Sequence, residues 1–208
     1  MGAIDAPEPA LCPVTDSTLS QLVALLADRS AKRGDFVLAS GRRSSLYIDC
    51  RLTAMSPEGQ LLIGRAGLAN LRESGWSVDS VGGLTLGADP IAYAIAHASA
   101  LSHERGDGAL VRAFTVRKEA KQHGTGKLIE GPFRSGDRVV VVEDVITTGG
   151  SALKAVDAIR AAGGEVLGIL ALVDREEGGR EALQNAGLTV RALATASQLL
   201  PLLPPLPA

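Results

Sequence analysis

Glu143 and Asp144 stand side by side after four consecutive valines, Val139 to Val142, and shortly before Thr147-Thr148-Gly149-Gly150-Ser151. The valine run reads as a strand buried on both faces, as in a parallel sheet, and it ends in the two carboxylates. The small-residue loop then opens an amphipathic helix carrying Leu153, Val156 and Ile159. Backbone N–H groups at such a helix start, together with Thr and Ser hydroxyls, form an anion site. Carboxylates directly under a phosphate would repel it, yet they suit the vicinal hydroxyls of a sugar, which donate hydrogen bonds. In an open α/β sheet, ligands bind in the crevice beyond the carboxyl ends of the strands. The stretch therefore describes a diol site beside a monophosphate site, which is the shape of a ribose 5-phosphate. The bland alternative is a buried strand with a glycine-rich turn.

Three further groups have chemistry to offer. Gly82-Gly83-Leu84-Thr85-Leu86-Gly87-Ala88-Asp89, between a strand at Val78 to Val81 and a helix opened by Pro90, repeats the strand–glycine loop–helix arrangement of an anion cradle. From Lys118 to Gly131 apolar residues nearly vanish, while Arg117, Lys118, Lys121, His123 and Lys127 supply positive charge and Gly124 and Gly126 permit hinging. That stretch reads either as a solvated surface loop or as a lid that closes on a polyanion. Arg175 follows a strand at Val166 to Val173, where a guanidinium can fork onto a planar carboxylate or pair with Glu176 or Glu177. His97 and His103 receive no role. Neither a G-x-x-x-x-G-K-[ST] loop nor a G-x-G-x-x-G turn after a strand occurs, which excludes the common nucleoside-triphosphate and dinucleotide signatures.

The Val139–Ser151 stretch resembles the 5-phospho-α-D-ribosyl 1-diphosphate (PRPP) binding motif of the type I phosphoribosyltransferases. The segment Arg117-Lys118-Glu119-Ala120-Lys121-Gln122-His123-Gly124 is similar to the mobile catalytic loop of the orotate phosphoribosyltransferases within that family. The resemblance runs from about Phe36 to Arg175. It implies transfer of the phosphoribosyl group of PRPP to orotate, giving orotidine 5′-monophosphate and pyrophosphate. Thr147, Thr148, Gly149, Gly150 and Ser151 would hold the 5-phosphate, Glu143 and Asp144 the ribose hydroxyls, and Thr85 and Gly87 the pyrophosphate. Arg117, Lys118, Lys121 and His123 would neutralise the leaving pyrophosphate, with Lys121 foremost and Asp144 steadying the sugar. Arg175, with Thr148, would bind orotate. The resemblance further implies Mg²⁺ held mainly by substrate oxygens, with any direct protein bond through Asp144, and a homodimer whose sites are shared across the interface. Two departures stand out, since many relatives carry lysine where Ala39 and Leu86 stand. The alternatives are a PRPP-binding regulator of the same fold, or a transferase acting on a purine base.

The elements that must position these groups alternate as in a doubly wound, mainly parallel α/β sheet, here a type I phosphoribosyltransferase fold in one domain over 1–208. Residues 1–15 read as a tail. A helix runs from Asp16 or Ser17 through Ala31. A hairpin within 36–51, Phe36–Leu38 paired with Leu46–Ile48, would form a small hood. Ser56-Pro57-Glu58 caps a helix that ends at Gly75. Strands are expected at Ala109–Arg117 and Leu188–Ala192, a mobile loop over 118–131 and an extended C-terminal tail over 201–208.

The 208 residues are 46% hydrophobic and 21% charged, enough to bury a core. A net charge of −2 offers no global positive field for nucleic acid or a membrane, so anion binding must be local. Cys12 and Cys50 are too few for a disulfide scaffold and lack metal-ligand spacing. No apolar run is long enough to span a membrane, and a reduced cytoplasm is the expected compartment.

Overall fold

A computed structural model describes residues 16–37, 43–119 and 127–205. Its chain order is α1 (Asp16–Arg29), the hairpin β1 (Ala31–Val37) and β2 (Arg43–Ile48), α2 (Arg51–Ala54), α3 (Pro57–Glu73), β3 (Ser80–Leu84) and α4 (Ala88–Glu104). Next come β4 (Arg112–Val116), β5 (Ile129–Glu130), β6 (Arg138–Ile146), α5 (Gly150–Ala161), β7 (Glu165–Asp174), α6 (Gly179–Asn185), β8 (Val190–Thr195) and α7 (Ala196–Leu199), followed by a 3₁₀ turn over Leu200–Leu202.

Six strands form one sheet in the order β5-β4-β3-β6-β7-β8. Every neighbouring pair is parallel except β4 with β5. The central strand shows why an unbroken apolar run is needed here. Val140 and Val142 enter the core packed by α1, α3 and α4, whereas Val139 and Val141 enter a second core packed by α5 and α6. All four are fully buried, each contributing about 1.5–3 kcal/mol of burial. The two cores lie on opposite faces of one sheet, and β1 and β2 form a separate antiparallel ribbon beside it.

Several boundaries differ from the sequence reading, for identifiable reasons. The first helix stops at Arg29, because Ala31 already pairs with Ile48 in the hairpin. Gly82 and Gly83 belong to β3 rather than to the loop after it. A Cβ on Gly83 would overlap the Val142 carbonyl of the neighbouring strand, so this glycine permits close strand approach, not a turn. The stretch over 118–131 is not loop throughout, since Ile129 and Glu130 pair back onto Val116 and Thr115. The C-terminal segment is not extended at its start. Thr195 and Gln198 cap α7 reciprocally, a capping box, and Leu199 packs fully buried in the first core. α3 starts as read: the Ser56 hydroxyl accepts from the Gly59 N–H at 3.1 Å, with Pro57 in the first turn.

No helix among the described residues is long and apolar enough to cross a membrane. Cys50 is buried and free.

Candidate active site

The chain reverses its direction of travel across the sheet between β3 and β6. The helix α4 leads from β3 to β4 on one side, and α5 leads from β6 to β7 on the other. Such a switch point leaves a crevice at the carboxyl ends of the two central strands. A cavity of about 320 Å³ lies there.

Its floor is the end of β6, with Glu143, Asp144 and Val145, and its far wall is Thr147 and Ser151 at the start of α5. Leu84 to Gly87, the turn between β3 and α4, closes the near side. Arg175 enters from the end of β7, Lys118 from beyond β4, and Tyr47 to Asp49 with Arg51 from the end of the hairpin. Asp49 and Arg51 were not singled out in the sequence. Arg51 grips the Asp49 carboxylate through Nε at 2.8 Å and Nη2 at 2.9 Å, and that hydrogen bond holds Asp49 below its ordinary pKa. No local spacing signals this pair, because only the return of the hairpin brings it to the cavity.

The acidic pair lies within β6, which continues to Ile146. The two acids are not equivalent. Glu143 is buried, at 7% exposure, and its Oε2 has no hydrogen-bond partner. Burial first, then the neighbouring Asp144 carboxylate, push the Glu143 carboxyl up to about 9. At neutral pH this residue is a neutral acid, both donor and acceptor, beside a more open Asp144. Asp144 Oδ1 accepts from the Val145 N–H at 2.8 Å.

The two cradles meet at Gly87, where a Cβ would overlap the Asp144 carboxylate. The turn before it is fixed from behind. The Thr85 N–H donates to the Val116 carbonyl at 2.8 Å, and the Thr85 hydroxyl donates to Asp89 at 2.7 Å. Thr115 donates to the other Asp89 oxygen at 2.9 Å. On the α5 side, Gly149 sits in the left-handed region at φ 81°, a conformation that only glycine adopts without cost. Thr148 in the same turn is exposed, and it does not line the cavity as Thr147 and Ser151 do.

Of the basic group after β4, Lys118 lines the cavity, whereas the Arg117 guanidinium lies 3.8 Å from Glu130 and donates to the Glu119 carbonyl at 3.3 Å. Lys121 and His123 lie outside the described residues, as does Ala39. Leu86 is half exposed at the cavity. Arg175 lines the cavity and pairs with Glu177 at 2.8 Å. Glu176 turns away and caps α7 through the Ser197 N–H at 2.7 Å. His103 bonds the Gly108 carbonyl at 2.9 Å, away from the cavity.

A sheet switch point with an acidic floor, two backbone cradles and a buried arginine is an arrangement with known counterparts. The phosphoribosyl transferase domain profile matches residues 61–186. The orotate phosphoribosyltransferase of Rhodopirellula baltica is 48% identical over 181 residues, covering 85% of this chain and 91% of the relative. That of Aquifex aeolicus is 48% identical over 183 residues, covering 86% and 96%. Among solved structures, the Mycobacterium tuberculosis orotate phosphoribosyltransferase in complex with PRPP superimposes with a TM-score of 0.72 at 40% identity, covering 88% of this chain and 98% of that one. Likeness of this extent, carried on a matching fold, places the chain in the orotate phosphoribosyltransferase family.

Proposed function

We propose that the cavity binds PRPP and orotate, and that the chain transfers the 5-phosphoribosyl group to the base, yielding orotidine 5′-monophosphate and pyrophosphate. This is the phosphoribosyl step of pyrimidine nucleotide synthesis. What supports the reading above all is a single cavity that gathers Asp144, the Thr85–Gly87 turn, Thr147, Ser151, Lys118 and Arg175 from five separate elements or their ends.

Thr147 to Ser151 hold the 5-phosphate at the α5 N-terminus, where backbone N–H groups and the helix dipole favour an anion. Asp144 and the neutral Glu143 take the ribose hydroxyls: one carboxylate accepts, and one acid can accept and donate. Thr85 and Gly87 cradle the pyrophosphate. The Thr85 hydroxyl proton is committed to Asp89 and its N–H to the Val116 carbonyl, so that turn acts on the anion through the backbone N–H groups that follow Thr85. Displacement at the anomeric carbon builds positive charge on the sugar and negative charge on the leaving group. Asp144 steadies the first, and Arg117, Lys118, Lys121 and His123 the second. Catalysis is then positioning and electrostatics, with no covalent nucleophile. Arg175 receives the orotate carboxylate, with Thr148 at the edge of the base site.

Among the described residues no group of three or more His, Cys, Asp or Glu side chains could hold a metal by itself. Asp144, in the cavity between the two turns, is the carboxylate that would stand beside Mg²⁺ held by substrate oxygens and water, the way this ion is commonly bound with phosphates. When bound, Mg²⁺ would neutralise pyrophosphate charge. A homodimer in which the part of the 118–131 loop beyond Lys118 serves the neighbouring site completes the proposal.

The test supplies the protein with PRPP, Mg²⁺ and one base at a time and measures pyrophosphate release. Orotate should give signal, and adenine, guanine and hypoxanthine should give none. Turnover of a purine base instead of orotate would refute the substrate assignment.

A further inference from the structure

Arg175 is almost wholly withdrawn from water, with 5% of its side chain exposed, and its hydrogen bonding is unbalanced. The Nη2 nitrogen carries two protons but faces three acceptors: Ser44 Oγ at 2.7 Å, the Leu46 carbonyl at 2.8 Å and Glu177 Oε1 at 2.8 Å. The Nε proton has no partner at all. Elsewhere in this chain, Arg51 and Arg138 each engage an aspartate through both Nε and Nη2. Glu177 grips Arg175 at one point only, so the carboxylate-binding fork is occupied but not filled.

The three acceptors differ in freedom. Ser44 and Leu46 are held in β2 by its ladder to β1. Glu177 lies beyond the end of β7, and 22% of its side chain is exposed, which gives it a route to water. A buried guanidinium cannot shed its charge and needs an anion nearby. In the ligand-free protein Glu177 supplies it. A second carboxylate arriving at the same buried cation repels the first, and the one able to leave is Glu177.

Building on the proposed function, we infer that Glu177 is a built-in competitor for the substrate carboxylate: it holds Arg175 in place while the base site is empty and must be displaced when orotate binds. The residue thereby sets the threshold affinity for an acidic base. It is a positioning residue, since it does not line the cavity where the sugar phosphate and base would sit. A ligand can shift an equilibrium only through its differential interaction with the two states. Here that difference is the ligand's carboxylate, so a base without one gains nothing from release of Glu177.

The test is steady-state kinetics of the full chain as wild type, Glu177→Gln and Glu177→Ala, with orotate varied at saturating PRPP and then the reverse. Losing the competitor should lower the orotate KM roughly three- to tenfold in both variants, the size expected for one charge-assisted contact. PRPP KM and kcat should stay within about twofold. Inhibition by uracil, the same ring without the carboxylate, should keep its wild-type constant. Melting temperatures are measured alongside, because a loosened fold raises KM and does not lower it. An orotate KM unchanged or raised in both variants overturns the inference, as does an equal gain for uracil. Wild-type protein that fails to turn over orotate defeats the functional reading itself, a separate outcome.

Discussion

Replacing Glu143 by glutamine probes the floor of the cavity, because glutamine copies the neutral acid in shape but cannot ionise. The folded carboxyl sits near 9 against an ordinary 4.5, so the folded protein holds this proton more tightly than the unfolded chain does. Stability from this group is complete below about pH 4.5 and is lost progressively as pH rises toward 9. The loss approaches about 1.4 kcal/mol per pH unit in that window, or about 4 kcal/mol between roughly pH 5 and 8. Glutamine suffers no such loss, and the titrating groups that do not interact with Glu143 are common to both proteins and cancel in the difference. The melting-temperature gap between Glu143→Gln and wild type should therefore widen in favour of the variant, by on the order of 10 °C from pH 5 to pH 8 for a chain of this size. Thermal unfolding of both proteins without ligand, in matched buffers at several pH values, measures it. A gap that stays constant over that range would mean that Glu143 is already ionised in the free protein. The neutral-acid description of the cavity floor would then be wrong.

The remaining expectations can be tested in the same preparations. Lys121→Ala should lower kcat at least about tenfold, roughly 1.4 kcal/mol of barrier, without a change in melting temperature; undiminished turnover would remove Lys121 from the catalytic set. Arg175→Lys keeps the charge but loses the planar fork, whose Nη2 bonds Ser44, Leu46 and Glu177, so orotate KM should rise roughly tenfold or more while PRPP binding is little changed; weakened PRPP binding with orotate binding intact would contradict the assignment. Gly87→Ala places a methyl group against the Asp144 carboxylate, and PRPP affinity measured by calorimetry should fall by about tenfold or more, with at most about 3 kcal/mol lost from folding. Normal PRPP affinity in Gly87→Ala would show that the two cradles need not touch.

The parts of the site legible in the sequence were those encoded within a short stretch. Val139 to Ser151 carries its own strand, acids, turn and helix start, so β6 and α5 and most of their cavity-lining groups could be read directly. Arg175 was legible as a strand-end arginine beside an acid, and it lines the cavity while pairing with Glu177. Glycine misled at Gly82 and Gly83, because the same residue serves turns and close strand approach, and only the neighbouring strand distinguishes them. Asp49 and Arg51 reach the cavity through a tertiary return that no spacing records. The neutral state of Glu143 depends on burial by surrounding elements, which is invisible in a strand sequence. The T-x-x-Q spacing at Thr195 to Gln198 encodes the α7 capping box just ahead of the proline-rich residues that follow.

The hairpin of β1 and β2 is made early on the ribosome but is fastened late. Its ties are Arg175 to Leu46, 129 residues apart, and Arg33 to the Leu200 carbonyl at 2.6 Å, 167 residues apart. During vectorial synthesis the roof of the cavity therefore gains these two ties only after most of the chain has been made. Nascent chains arrested before Leu200 would carry most of the sheet and the Thr147–Ser151 turn beneath a roof still lacking its final tie.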